Sequence, residues 1–417
     1  MKTRGFWVSF CLINLCVVAL LGVILRSKML FELPSIDYNH LLKVHSNFAF
    51  GAWVSLALMV LFTKDILTEV QRDKNIYRII FWGIFACCWG LVLTLPFAKY
   101  ANYISYISTA FIFITYLFFF VFINDVRKTS ASKTTKVLAI SALSYLVLSS
   151  AGTFMLAYLF ATKSLNAVLY RDALFSYLHL MYNGFFTLGV FALLFHRLES
   201  KLSVSANKNI FNFSVLLSIS VIPSMFLSYH WHDPSNFIHA VAYLGSSLLL
   251  LSLALFIRFL VVMAKPFKHV SRILKFVGFL SIGSFVLKMF LQSFTIFNVI
   301  GNPIFGDRPM IMGFLHLVFL GFVTLFLLAY FTQTGILNLK LLITKIALGI
   351  FTMGIIINLA LLFIQGIGAL FMKSNANLPW MLWGAGLWLF IGAFLVNIAR
   401  LSSIISYNKA KILPKST

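Results

Sequence analysis

Two histidines on separate apolar segments, His45 and His316, have the residue type and separation expected of the two axial ligands of one haem. A second group, His179, His230 and His232, offers three imidazoles for a copper ion, with Asn183 one helical turn after His179 to support the ring. Imidazole suits iron, copper and zinc, and a neutral ring is a less costly guest in lipid than a carboxylate. His230 and His232 are two residues apart, and an ideal helix would point them about 200° apart. Both can ligate one ion only if the helix unwinds before Asp233-Pro234; otherwise His239 or His40 becomes the candidate third ligand. Asp233 is a candidate acceptor behind the ligands. The plain reading of a membrane histidine is a hydrogen bond between helices, and that reading is kept for His40 and His239.

The segments that must position these rings are membrane helices. The chain is 61% hydrophobic and only 10% charged, with a mean hydropathy of +0.97. Soluble domains carry about 25% charged residues. Hydropathy predicts an all-α bundle of about twelve spans, forming one integral membrane domain over 1–417. They are Phe6–Leu25, Val44–Phe62, Ile79–Phe97, Tyr103–Ile123, Val137–Ala161, Leu174–Phe195, Ile210–Ser228, Phe237–Met263, Leu274–Phe297, Met310–Phe331, Ile343–Gly366 and Trp380–Ala399. The second span starts earlier if its helix begins near Ser35.

The formal charge of +23 comes from basic residues in the short connections, not from a patch for nucleic acid, so no nucleic-acid partner is expected. With the N-terminus in the cytoplasm, 23 Lys and Arg fall on inner segments and 8 on outer ones; Arg258 and Lys288 lie inside spans and complete the 33. This bias predicts both termini inside. On that orientation His40, His45, His179, His230, His232, His239 and His316 lie in the outer half, and His196 and His269 at inner loops. His179 and His316 each sit roughly 8–9 Å below the outer boundary. The first span follows MKTRG but lacks a small-residue cleavage site after it, and is expected to be a retained helix.

All ten acidic residues fall in predicted loops or at span ends, so no span interior carries the carboxylate relay usual in proton-coupled transporters. Lys288, four residues before Gln292, is the charged residue placed near mid-membrane, facing a haem propionate, a proton path or an anionic ligand. Arg258 is expected to snorkel toward the inner surface. The cysteines Cys11, Cys16, Cys87 and Cys88 form no C-x-x-C-H, which argues against covalent haem, and read as packing residues.

Three stretches carry a family resemblance. LLKVHSNFAFGAW around His45 resembles the second-helix motif of catalytic subunit I in the haem–copper oxidase superfamily, closest to its cbb3-type and nitric-oxide-reductase branch. YLHLMYNGFF is similar to the sixth-helix stretch whose histidine binds copper, and GFLHLVFLGFVTL to the tenth-helix motif with the second low-spin haem ligand. The resemblance implies a non-covalent b-type haem on His45 and His316 and copper on His179. Two departures stand out. The family's adjacent His-His pair is here His230-Trp231-His232, and the first histidine of its tenth-helix His-x-His is Phe314. By length and helix count the chain also resembles the smaller NnrS-type membrane proteins of the nitric-oxide response.

These readings imply an integral protein of a bacterial inner membrane that holds haem, copper or both and acts on, or responds to, nitric oxide or another diatomic gas. Its partners would be the lipid bilayer, the gas and an electron donor that the sequence does not name. The alternative is a twelve-helix secondary transporter; the segment after the second span, TKDILTEVQRDKNIYR, has no Gly-Asp-Arg-type loop. A third possibility is a haem-handling protein, but Trp380, Trp383 and Trp388 spread along one helix and its edge and do not make a Trp-rich outer loop.

Overall fold

A computed structural model describes residues 3–96, 103–232, 234–262, 270–373 and 375–412. Among these residues there are twelve helices long and apolar enough to cross a membrane, and no strand. They are α1 (Arg4–Ser27), α2 (Tyr38–Ile66), α3 (Asn75–Leu93), α4 (Tyr103–Arg127), α5 (Lys133–Ala161), α6 (Ala167–Lys201), α7 (Val204–His232), α8 (Asn236–Val261), α9 (Arg272–Phe294), α10 (Arg308–Gln333), α11 (Leu342–Leu370) and α12 (Leu378–Asn408). The even number returns the chain to the face on which it starts. Arg400 Nη2 donates to the Gly5 carbonyl at 3.0 Å there. We call this the terminal face and the opposite one the far face.

Helix starts follow local chemistry. The Asp37 carboxylate accepts from His40 N at 2.7 Å, so α2 begins at Tyr38, ahead of the predicted start at Val44, and His45 lies well inside it. Thr3, Ser132, Ser203 and Ser271 cap α1, α5, α7 and α9 in the same way. Pro309 occupies the first turn of α10, where its missing N–H is not needed.

Three helices, α2, α6 and α10, meet at the centre through their aromatic side chains. α2, α6 and α10 are every fourth helix, and α2 and α6 are the most enclosed of the twelve. All three run from the far face to the terminal face. Each has a histidine in its far half, followed by a widened π-helical stretch: Ala49–Ser55 after His45, Leu180–Thr187 after His179, and Leu317–Thr324 after His316. A π turn bonds residues five apart, one more than an α turn, and such insertions gather at functional sites. The three stretches meet through one phenylalanine each. Phe50 stacks on Phe319 with ring centres 4.5 Å apart, and Phe186 lies 6.2 Å from Phe50 and 5.3 Å from Phe319.

Close approach around this centre depends on small residues, as in other membrane bundles. A Cβ on Gly184 would stand 2.3 Å from the Tyr145 Cβ, and one on Gly321 would stand 2.6 Å from the Ser284 Oγ. At the terminal face Asp65 ties the inner helices together. Its carboxylate takes Arg4 Nη1 at 2.8 Å and the Tyr330 hydroxyl at 2.7 Å, and its carbonyl takes His196 Nε2 at 3.0 Å. The inner helices are therefore fixed at the centre and at one end, which leaves their far halves to form a site.

Candidate functional site

A cavity of about 330 Å³ opens between α1, α2, α10, α11 and α12, and both His45 and His316 line it. Both rings are part-buried and line this cavity. Leu15, Val18, Leu42, Leu315, Leu362 and Leu389 make its sides apolar, and the stacked Phe50 and Phe319 close it toward the centre. At the far-face mouth stand Arg26, Tyr38 and Arg308; Arg308 Nη2 donates to the Tyr38 hydroxyl at 3.1 Å.

The polar atoms in this cavity are poorly satisfied by the protein. His45 Nδ1 and Asn358 Nδ2 are buried with no hydrogen-bond partner. Buried polar groups normally find one, so two orphans on one cavity point to a missing ligand. His316 Nδ1 donates to the Met312 carbonyl at 2.7 Å, a bond that places the proton on Nδ1 and the lone pair on Nε2. This is the arrangement that orients a metal-ligating histidine. A flat, apolar group with two anionic arms suits the cavity: imidazoles from two helices, apolar walls, and two guanidiniums at one mouth. The donor set fits haem.

The second predicted group does not assemble. His179 is buried, and both of its nitrogens are occupied. Nε2 donates to the Val221 carbonyl at 2.9 Å, and Nδ1 accepts from Asn183 Nδ2 at 3.1 Å, with Gln292 Nε2 at 3.5 Å. Asn183 passes its other valence to Lys288, whose Nζ donates to Asn183 Oδ1. Asn183 thus lies beside His179, as the sequence suggested. His230 and His232 do not. The end of α7 tightens into a 3-10 turn over Phe226–His232, which still points residues two apart in different directions. His230 donates through Nδ1 to the Phe226 carbonyl at 3.3 Å and accepts at Nε2 from His239 Nδ1 at 2.8 Å. His232 Nε2 donates to Asp172 Oδ2 at 2.9 Å, beside Trp231 Nε1 on Oδ1 at 3.1 Å. The three rings of the expected copper set, His179, His230 and His232, are thus each held by different partners in this structure. No group of three or more His, Cys, Asp or Glu side chains placed to hold a metal ion occurs among the described residues. His239 and His40 do not complete the set, since His40 Nε2 donates to Thr94 Oγ1 at 2.9 Å. Asp233 and His269 lie outside the described residues.

Sequence reasoning missed Arg26, Arg308 and Asn358 as lining residues, and it missed the four-helix repeat. The available signal for the repeat was weak: a glycine five or six residues after each histidine, at Gly51, Gly184 and Gly321.

No protein-family model and no curated protein matches the chain. Among solved structures it is similar to a haem–copper terminal oxidase dimer determined by cryo-EM, with a TM-score of 0.63, 13% identity, and coverage of 100% of this chain and 85% of that one. At this identity the likeness shows the fold. The chain has a twelve-helix membrane bundle with the fold of that structure.

Proposed function

We propose that this protein binds one b-type haem in the α2–α10 cavity, which His45 and His316 would hold through their imidazoles. The observation that carries the reading is the pair of imidazoles on one apolar cavity that also holds two orphaned buried nitrogens. Arg26 and Arg308 would take the propionates at the far-face mouth, with Tyr38 bonded to Arg308. Bound haem supplies one-electron chemistry, and the surrounding leucines and phenylalanines keep water from it.

The proposal extends to a diatomic gas such as nitric oxide, in line with the resemblance to the nitric-oxide-reductase branch and to NnrS-type proteins. An uncharged gas crosses apolar helices without help. His316 is tied through Nδ1 to the Met312 carbonyl, and the His45 ring is hydrogen-bonded to the backbone of Val18. The basic bias supports both termini in the cytoplasm, in a bacterial inner membrane as the resemblance implies, which would put His45 and His316 toward the outer side.

The test is haem per chain in protein purified from haem-replete cells, for wild type, His45→Ala and His316→Ala. About one haem is expected in wild type and much less in each variant. Wild-type protein free of haem would remove the proposal.

A further inference from the structure

The part of the bundle around His179 is built differently from the cavity at His45. Lys288, on α9, is buried at the same depth in the far half and makes no ion pair with Asp or Glu among the described residues. Its ammonium is held instead by the Asn183 carbonyl oxygen, by Met289 Sδ at 3.6 Å, and by the rings of Tyr182 and Phe285, whose centres lie 5.9 Å away. Asn183 Oδ1 is the close oxygen acceptor among these groups. Asn183 joins that cation directly to His179, whose lone pair on Nδ1 it already occupies. The remaining space toward α10 is taken by Phe314, with its ring centre 5.7 Å from that of Tyr182. None of His179, Asn183, Lys288 and Gln292 lines the cavity at His45 and His316.

A metal ion at His179 would face three obstacles at once. The Nδ1 lone pair of the imidazole is taken by Asn183, the second and third imidazoles are engaged elsewhere, and Lys288, one amide away, repels another cation whenever it is protonated. A second haem meets a further one, since position 314 offers a phenyl ring where a ligand would be needed.

We propose that the Lys288 ammonium, caged by Asn183, Tyr182, Phe285 and Met289, takes the place of a second metal centre beside His179, so that this chain binds one haem and no copper. The count of one haem rests on the function proposed above; the absence of copper at His179 does not. The chain is accordingly a one-electron haem protein on an oxidase-like fold.

The experiment is metal and haem analysis of the full chain in detergent, purified from cells supplied with copper and a haem precursor, alongside His179→Gln. Iron and haem should match at about one per chain. Copper should stay at background in both proteins, and added Cu(I) should show no saturable uptake that depends on His179. About one copper per wild-type chain, lost in His179→Gln, would overturn the inference. The wild-type count needs no variant to fold. The copper and haem counts are read separately, so a haem-free, copper-free protein would end the haem proposal and leave the assignment of Lys288 standing.

Discussion

Removing the amide of Asn183 should harm the protein more than removing the charge it holds. Asn183 bridges Lys288 and His179, and no carboxylate stands behind it among the described residues. Asn183→Ala strands a buried ammonium, and breaking a buried charge–partner contact costs about 3–5 kcal/mol. Lys288→Met keeps the length and apolar stem but discards the charge, and replacing a buried ion by an apolar group of like size is often neutral. The Asn183 oxygen left behind costs about 1–3 kcal/mol. Thermal unfolding in detergent should therefore rank Asn183→Ala below Lys288→Met. The double variant should recover much of the loss of Asn183→Ala, a coupling that a cycle of the four proteins measures directly. Equal, additive losses would mean that the two side chains act independently.

The π-helical stretches decide where the inner helices meet, and their glycines are the test at the scale of the element. A Cβ on Gly184 would collide with the Cβ of Tyr145, an atom next to the backbone that cannot rotate away. Tyr145 is held further by its hydroxyl on the Ser218 carbonyl at 2.7 Å. Gly184→Ala should lower stability by about 1–3 kcal/mol through overpacking. Gly278→Ala, with nothing within 4 Å of its added carbon, is the control and should change it little. Hydropathy made the twelve spans legible because length and apolarity are all that a span needs. It says nothing of a π turn, which changes the hydrogen-bond register without changing composition. The start of α2 at Tyr38 lies close to the alternative start near Ser35 and ahead of the hydropathy bound at Val44, because the polar run Tyr38-Asn39-His40 belongs to a helix that Asp37 caps. The separation of the three copper candidates has a related reason. His230 and His232 are close in sequence, but the 3-10 turn and the partners Asp172 and His239 fix their directions, and Asp172 is on another helix.

Across the whole molecule, one arrangement serves three helices. α2, α6 and α10 share a direction, a histidine in the far half, a phenylalanine contact at the centre and ties to Asp65 at the terminal face. What differs is the space beside each histidine. His45 and His316 share a cavity with two orphaned nitrogens, whereas His179 is sealed by Asn183 and Lys288. The sequence shows the histidines but not which of them keep a lone pair, because that depends on carbonyls such as those of Met312 and Val221. The central claim is two-histidine ligation of one haem, and its most direct test is the spin state of the ferric protein, read by electron paramagnetic resonance and the visible spectrum. A six-coordinate low-spin signal is expected in wild type, giving way to high-spin iron or to haem loss in His45→Ala and in His316→Ala. A colourless wild type from haem-replete cells, or a low-spin spectrum unchanged in both variants, would contradict it.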